Sequence, residues 1–178
     1  MVLETPRLIL RSWEESDSAD LFRYASDPRV GPRAGWPAHK SEEESRASIS
    51  GVLSAPETYA IVLRESNAAI GSMGLKTGAA TDLTARRDEC ELGYWIGVPY
   101  WGRGLAAEAA GEVLRHAFED LGMNAVWCSS HEQNAQSQRV QEKLGFAFHH
   151  TREGGWYPLL GEHRRLIVMR LGRPAPSR

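Results

Sequence analysis

Residues 2–10 end in the apolar run Leu8-Ile9-Leu10, which suits a strand. The polar stretch 14–20 then opens a helix containing Leu21, Phe22 and Tyr24, stopped by Asp27-Pro28. Residues 30–40 include Pro32, Gly35, Trp36 and Pro37 and read as a breaker-rich loop. Ser41, followed three residues later by Glu44, is a capping-box signature for a second helix that fades near Gly51. Residues 58–64 and 69–75 are strand-like runs joined by the turn residues Glu65-Ser66-Asn67, and 78–88 is a polar loop. The clearest strand is 89–98, where Cys90, Leu92, Tyr94, Ile96 and Val98 alternate with Glu89, Glu91, Gly93, Trp95 and Gly97.

The longest helix spans 104–121, with Ala106, Ala110, Val113, Leu114, Ala117, Phe118 and Leu121 on one face and Gly122 as its stop. A strand at 125–130 and a helix at 134–144 follow; Gly145 ends that helix and Phe146 packs back on Val140. Residues 146–152 and 165–171 read as two closing strands around a Gly154-Gly155 turn. The order predicts one α+β domain over 1–171, built on a mixed, mainly antiparallel sheet of about seven strands flanked by about four helices. Residues 172–178, with two prolines, read as a flexible tail.

A chain of 178 residues suits one domain, and 42% hydrophobic with 25% charged residues excludes disorder. No 18-residue uncharged run spans a bilayer, and the amino terminus lacks an apolar signal core, so the expected location is cytoplasmic. Lys+Arg 21 against Asp+Glu 23 argues against a nucleic-acid footprint. Beyond Thr151, six arginines stand against two glutamates; this edge is either a site for an acidic peptide or RNA, or a solvated rim. Cys90 and Cys128 have no ligand spacing and read as reduced, packed thiols, and none of the six histidines has metal spacing. No metal is expected.

Two segments carry candidate chemistry. Trp101-Gly102-Arg103-Gly104-Leu105-Ala106 lies between the best strand and the longest helix, where free backbone N–H groups and glycines suit a pyrophosphate; a tight connection explains it equally well. It is neither a Walker A loop nor a dinucleotide fingerprint. Asn134 is an N-cap type, and Ser137 lies in the same first turn, either capping or free to donate.

Together these segments resemble the GCN5-related N-acetyltransferases (GNAT), and the wider pattern looks like their RimJ/RimL-like branch of ribosomal-protein acetyltransferases. The resemblance runs from Leu3-Glu4-Thr5-Pro6-Arg7-Leu8 to about Leu171. Its most specific parts are Glu91-Leu-Gly-Tyr-Trp-Ile96, Tyr100-Trp-Gly-Arg-Gly-Leu-Ala-Ala-Glu108 and Asn134 to Phe146. It implies a sheet splayed beside the best strand and acetyl-CoA as cosubstrate. Ile96 and Val98 would hold the pantetheine through their backbone, and Trp101, Gly102, Arg103, Gly104, Leu105 and Ala106 the pyrophosphate. Asn134 would bond the pantetheine, and Ser137 would stabilise the departing thiolate. Trp101 stands where many members carry Gln or Arg, and Gln141 where many carry a tyrosine acid, which shifts weight onto Ser137. The resemblance offers Glu153 as base, with Glu91 as rival, and the loop carrying Trp36 and His39 as an acceptor site. It implies direct attack by a primary amine, for which a peptide or protein N-terminal α-amine suits a chain without a strong base. The alternatives are a small-molecule amine acceptor or a catalytically silent acyl-CoA-binding module. The assembly is read as monomer or homodimer, without a membrane.

Overall fold

The computed structural model describes residues 1–174; residues 175–178, the end of the expected tail, lie outside the described part. One sheet of eight strands runs β1(Leu3–Glu4), β2(Leu8–Arg11), β3(Thr58–Leu63), β4(Ala68–Lys76), β5(Glu89–Ile96), β6(Ala125–His131), β8(Glu162–Gly172) and β7(Ala147–Tyr157) in space. All neighbours are antiparallel except β5 and β6. Helices α1(Ser18–Ala25), α2(Gly31–Ala34), α3(Glu42–Ser50), α4(Leu105–Arg115) and α5(Ala135–Lys143) complete the domain. This is the expected α+β architecture, with one strand and one helix more than predicted.

The extra strand arises at the amino terminus. Pro6 has no N–H for a ladder, and the Thr5 N–H donates to Leu8 O (2.9 Å) while the Leu8 N–H donates to Thr5 Oγ1 (3.0 Å). The single expected strand therefore folds into the β1–β2 hairpin. The extra helix is α2, one turn inside the expected loop, closed by Gly35 at φ 98°.

The closing hairpin also differs from expectation. Its strands are longer, and the reversal lies at residues 158–161, not at Gly154-Gly155. A Cβ on Gly155 would stand 2.8 Å from Leu166 Cδ1, and the register slips between Arg152 and Gly155, so the glycine pair marks a bulge. β8 continues through Gly172, opposite Ala125, and the Arg173 N–H donates to Asn124 O (2.8 Å); order thus passes the expected boundary at 171.

Both faces of the central strands are covered. Tyr59, Ile61, Leu92 and Ile96 pack on the α4 side with Leu105, Ala109 and Val113, whereas Ala60, Val62 and Ala69 pack with Trp13, Leu21 and Ile49 on the α1–α3 side. This two-sided burial is why β3 reads as an unbroken apolar run. It also buries Glu89 and Glu91, the polar half of the β5 alternation. The Ser41 cap forms as expected: Ser41 Oγ accepts from Glu44 N (3.1 Å), while the Glu44 carboxylate accepts from Lys40 N (2.7 Å).

Glu108, in the first turn of α4, clasps the β1–β2 turn by accepting from Thr5 Oγ1 (2.7 Å), the Arg7 N–H (2.9 Å) and Arg7 Nε (2.6 Å). Burial opposes its charge, yet the bonds from Thr5 and Arg7 together hold its carboxyl below the ordinary range. A carboxyl depressed in the folded state stabilises fully above its unfolded value, and that contribution is lost as pH falls through the folded value. Glu108→Gln should cost about 1 kcal/mol near neutral pH. Melting curves across pH 3 to 7 should show the gap to the unsubstituted chain closing below about 4.3; a gap that persists in acid would remove the clasp's charge from the account.

Candidate active site

The site begins where β5 and β6 part. Their parallel pairing joins only Glu89, Cys90 and Glu91 to Ala125, Val126 and Trp127; beyond that β5 pairs with β4 alone and β6 with β8 alone. The strands thus open a wedge. Because the Gly97 N–H donates to Ile70 O (2.8 Å), the alternation of an antiparallel ladder turns the main chain of residues 97, 95 and 93 toward β4. The main-chain groups of Ile96, Tyr94 and Leu92 therefore face the wedge.

At the mouth of the wedge stands the amino terminus of α4. Gly104, at φ 75°, caps the helix without a side-chain bond. Glu108 N is the first N–H to close a helical bond, on Gly104 O (3.0 Å), so the N–H groups of Leu105, Ala106 and Ala107 have no helical partner. Those of Gly102, Arg103 and Gly104 make no main-chain bond either among the described residues. Since Arg7 pairs with Glu108, the helix dipole is left to an external anion. Arg7 Nη1 also donates to Arg103 O (3.1 Å), backing the loop from behind. The Arg103 guanidinium is exposed over the Tyr100 ring at 5.6 Å.

Trp101 turns inward. Its Nε1 donates to Ile96 O (2.8 Å) and its ring carries the Arg33 guanidinium at 5.3 Å, so the indole closes the strand end. Ile96 therefore offers the wedge its N–H, its carbonyl being engaged. Val98 lies just past the strand in the turn Val98–Tyr100, and its carbonyl accepts from Trp101 N (3.1 Å).

The far wall is α5. Asn134 Oδ1 accepts from Ser137 N (3.2 Å), so Asn134 is the cap and the Ser137 hydroxyl is spare. That hydroxyl lies 2.9 Å from Tyr94 Oη and accepts from Gln141 Nε2 (3.1 Å). Tyr94 was legible only as a core position of β5; a bond across 43 positions leaves no local signal. Burial pushes its phenol above the ordinary value, against the opposing bonds with Ser137 and Gln141. Gln141 is fully buried and its Oε1 has no partner among the described residues.

On the α1–α3 side, a cavity of about 320 Å³ is lined by residues including Lys76, Thr81, Glu91, Ser129, Arg152 and Tyr157. Glu91 accepts from Lys76 Nζ (3.1 Å) and Thr81 Oγ1 (2.6 Å), two partners that sequence reasoning missed. Glu153 is not brought there: its side chain is 72% exposed and pairs with Arg165 Nε at 2.7 Å, because the bulge turns it outward. Trp36 packs edge-on against Trp95 at 5.6 Å, and Tyr157, on the cavity wall, lies against Gly35. His39 Nδ1 bonds Ser45 Oγ (2.8 Å) and its N–H donates to Ala25 O (3.0 Å), anchoring the loop; burial holds its imidazole below the ordinary value. The basic edge is largely paired, Arg152 with Asp82, Arg164 with Glu162, Arg165 with Glu132 and Arg170 with Glu89, which makes it a solvated rim.

A family model described as Acetyltransferase (GNAT) domain matches residues 7–147. A Bacillus licheniformis protein named uncharacterized N-acetyltransferase p20 is 26% identical over 149 residues, 81% of each chain. A GNAT acetyltransferase structure from Bacillus anthracis covers 97% of this chain and 99% of its own, with TM-score 0.83 and 21% identity. A ribosomal-protein-S5-alanine acetyltransferase structure from Vibrio fischeri covers 100% of both, with TM-score 0.75 and 16% identity.

The uncapped helix end fits a pyrophosphate, and a Cβ at Gly104 would meet only Arg7 Nη2 at 3.7 Å, so the approach is open. Both CoA and acetyl-CoA should raise the melting temperature, by about 5–10 °C at a hundred times Kd. Gly104→Val should weaken CoA binding at least tenfold by calorimetry, with strain of about 1–3 kcal/mol from a β-branched residue at positive φ. Unchanged affinity would place the pyrophosphate elsewhere.

Proposed function

The chain belongs to the GNAT acetyltransferase family, and on that premise we propose that it transfers the acetyl group of acetyl-CoA to a peptide or protein N-terminal α-amine, by direct attack in a ternary complex. The observation that carries this reading is the wedge: main-chain donors at Ile96 and Tyr94 on one wall, the Ser137 hydroxyl on the other, and an uncapped helix end at the mouth. In this reading the helix end and Asn134 hold the cofactor, the Ile96 N–H polarises the thioester carbonyl, and Ser137 donates to the leaving thiolate. Burial pushes the Cys90 thiol up to about 12 and the Cys128 thiol up as well, which supports a route without an acyl-cysteine.

The acceptor follows from the base. Five residues of strand separate Glu91 from Ile96, about 16 Å, so Glu91 takes a proton only through water. Both its oxygens are already engaged, by Lys76 Nζ and by Thr81 Oγ1. At pH 7.5 about one lysine ε-amine in a thousand is neutral, against about a quarter to two-fifths of α-amines. An α-amine needs no strong base. A Bacillus subtilis protein provisionally named ribosomal N-acetyltransferase YdaF is 31% identical over 83 residues, 47% of this chain and 45% of its own, which makes a ribosomal protein a natural first acceptor to test.

CoA-thiol release should be at least a hundredfold faster in kcat/KM with an Ala- or Ser-initiated peptide than with its N-acetylated form carrying an internal lysine. The rate should rise through pH 7 to 8 and then level as the α-amine becomes neutral. Glu91→Gln should cost less than about tenfold. Preference for lysine, or inactivation by that substitution, would overturn the acceptor assignment.

A further inference from the structure

A hydroxyl oxygen has two lone pairs and one proton. Gln141 Nε2 can only donate, so its 3.1 Å bond fills one lone pair of Ser137 Oγ. The Tyr94 phenol has one proton and two acceptors within reach on Ser137, the hydroxyl at 2.9 Å and the carbonyl oxygen at 3.2 Å, of which the hydroxyl is the nearer. The backbone cap is already supplied by Asn134. With the phenol proton on the hydroxyl, both lone pairs of Ser137 Oγ are filled and its own proton has no acceptor among the described residues; with the phenol proton on the carbonyl, Ser137 would donate back to Tyr94 Oη. Tyr94 stands on β5 and Ser137 on the helix that follows β6, so this bond spans the wedge between them.

We propose that Tyr94 and Gln141 are positioning residues that occupy both lone pairs of Ser137 Oγ and so present its O–H as a fixed donor to the thiolate leaving CoA. The inference rests on the acetyl-transfer reading above. In that step the amine nitrogen bonds the carbonyl carbon, the C–S bond breaks, and its electron pair leaves on sulfur. The amine's surplus proton passes to water, and the thiolate is stabilised by the Ser137 O–H until solvent protonates it. An amide has no acidic proton, so Gln141 serves as a clamp. The Tyr94 phenol, held above its ordinary range by burial, stays a donor throughout the working pH range.

The clamp has a cost in stability. Gln141 is fully buried and its Oε1 is unpaired, an arrangement that apolar packing of similar volume would improve. A residue kept for the fold alone would not be an amide here. Gln141→Met should therefore leave the melting temperature unchanged or raise it while lowering kcat, a combination a structural role does not produce.

Ser137→Ala, Tyr94→Phe, Gln141→Met and the Tyr94→Phe/Ser137→Ala pair are compared in kcat, in calorimetric Kd for CoA, and in the ionisation of bound CoA thiol followed by thiolate ultraviolet absorbance. Ser137→Ala should lower kcat roughly 10- to 1000-fold. Tyr94→Phe and Gln141→Met should each cost about tenfold, raise the ionisation midpoint of bound thiol by about one pH unit, and leave Kd within about threefold. The pair should be no worse than Ser137→Ala, since the phenol acts only through that hydroxyl. Full kcat and an unmoved midpoint in both Tyr94→Phe and Gln141→Met, with Ser137→Ala impaired, would overturn the clamp and leave the acetyl-transfer reading standing. An unimpaired Ser137→Ala would overturn both the clamp and the serine's role, and no CoA binding by the unsubstituted chain would overturn the acetyl-transfer reading itself. Should Tyr94→Phe lose its fold by melting, Gln141→Met alone decides.

Discussion

The structure depends on where one parallel strand pair stops. β5 and β6 pair over three residues, as far as Glu91 and Trp127, and each then keeps its other neighbour, β4 or β8. Backbone groups left facing the gap are costly unless something else satisfies them. The Ile96 carbonyl is satisfied by the Trp101 indole, and the Ile96 and Tyr94 N–H groups remain as donors for whatever enters. In the proposed function, splaying converts unmet main-chain hydrogen bonding from a defect of the sheet into the recognition surface of the enzyme.

The two helices that border the gap are capped in opposite ways, and each choice frees a different group. Helix α4 starts on a glycine with no capping side chain, so its first N–H groups stay unpaired. Its acidic residue, Glu108, is held by Thr5 and Arg7, which keeps that carboxylate from competing with an anion for the helix end. Helix α5 is capped by Asn134, which releases the neighbouring Ser137 hydroxyl for bonds with Tyr94 and Gln141. A capping serine would have been chemically silent.

The proposed acceptor side follows another logic. Trp36 and Trp95 form an apolar wall, and His39 ties the loop behind them to α3. The charges nearby are nearly all neutralised in pairs, including Lys76 with Glu91 and Arg152 with Asp82. Such a surface favours a neutral nucleophile over a strongly basic ammonium, because it supplies neither a concentrated negative field nor a free carboxylate to strip a proton.

Much of this was legible locally. The period-2 alternation of β5, the apolar face of α4, the Ser41 and Asn134 caps and the glycines of the α4 loop are written in neighbouring residues, because capping, helix periodicity and strand pleat act over a few positions. The Ser137 hydroxyl was legible as either a cap or a donor, and the main-chain donors near Ile96 only through the family resemblance. Local pattern failed where a partner distant in sequence decides: Thr5 and Pro6 split the first strand, Leu166 makes a bulge of Gly155, and the same bulge turns Glu153 out to Arg165. The Tyr94–Ser137–Gln141 cluster and the Lys76 and Thr81 bonds to Glu91 also exist only in three dimensions. The sequence by itself determined which elements form and which residue types they carry, since those are set by short-range sterics and periodicity. Only the tertiary structure decided which side chains complete one another's hydrogen bonds, since that depends on where the sheet parts and what closes over it.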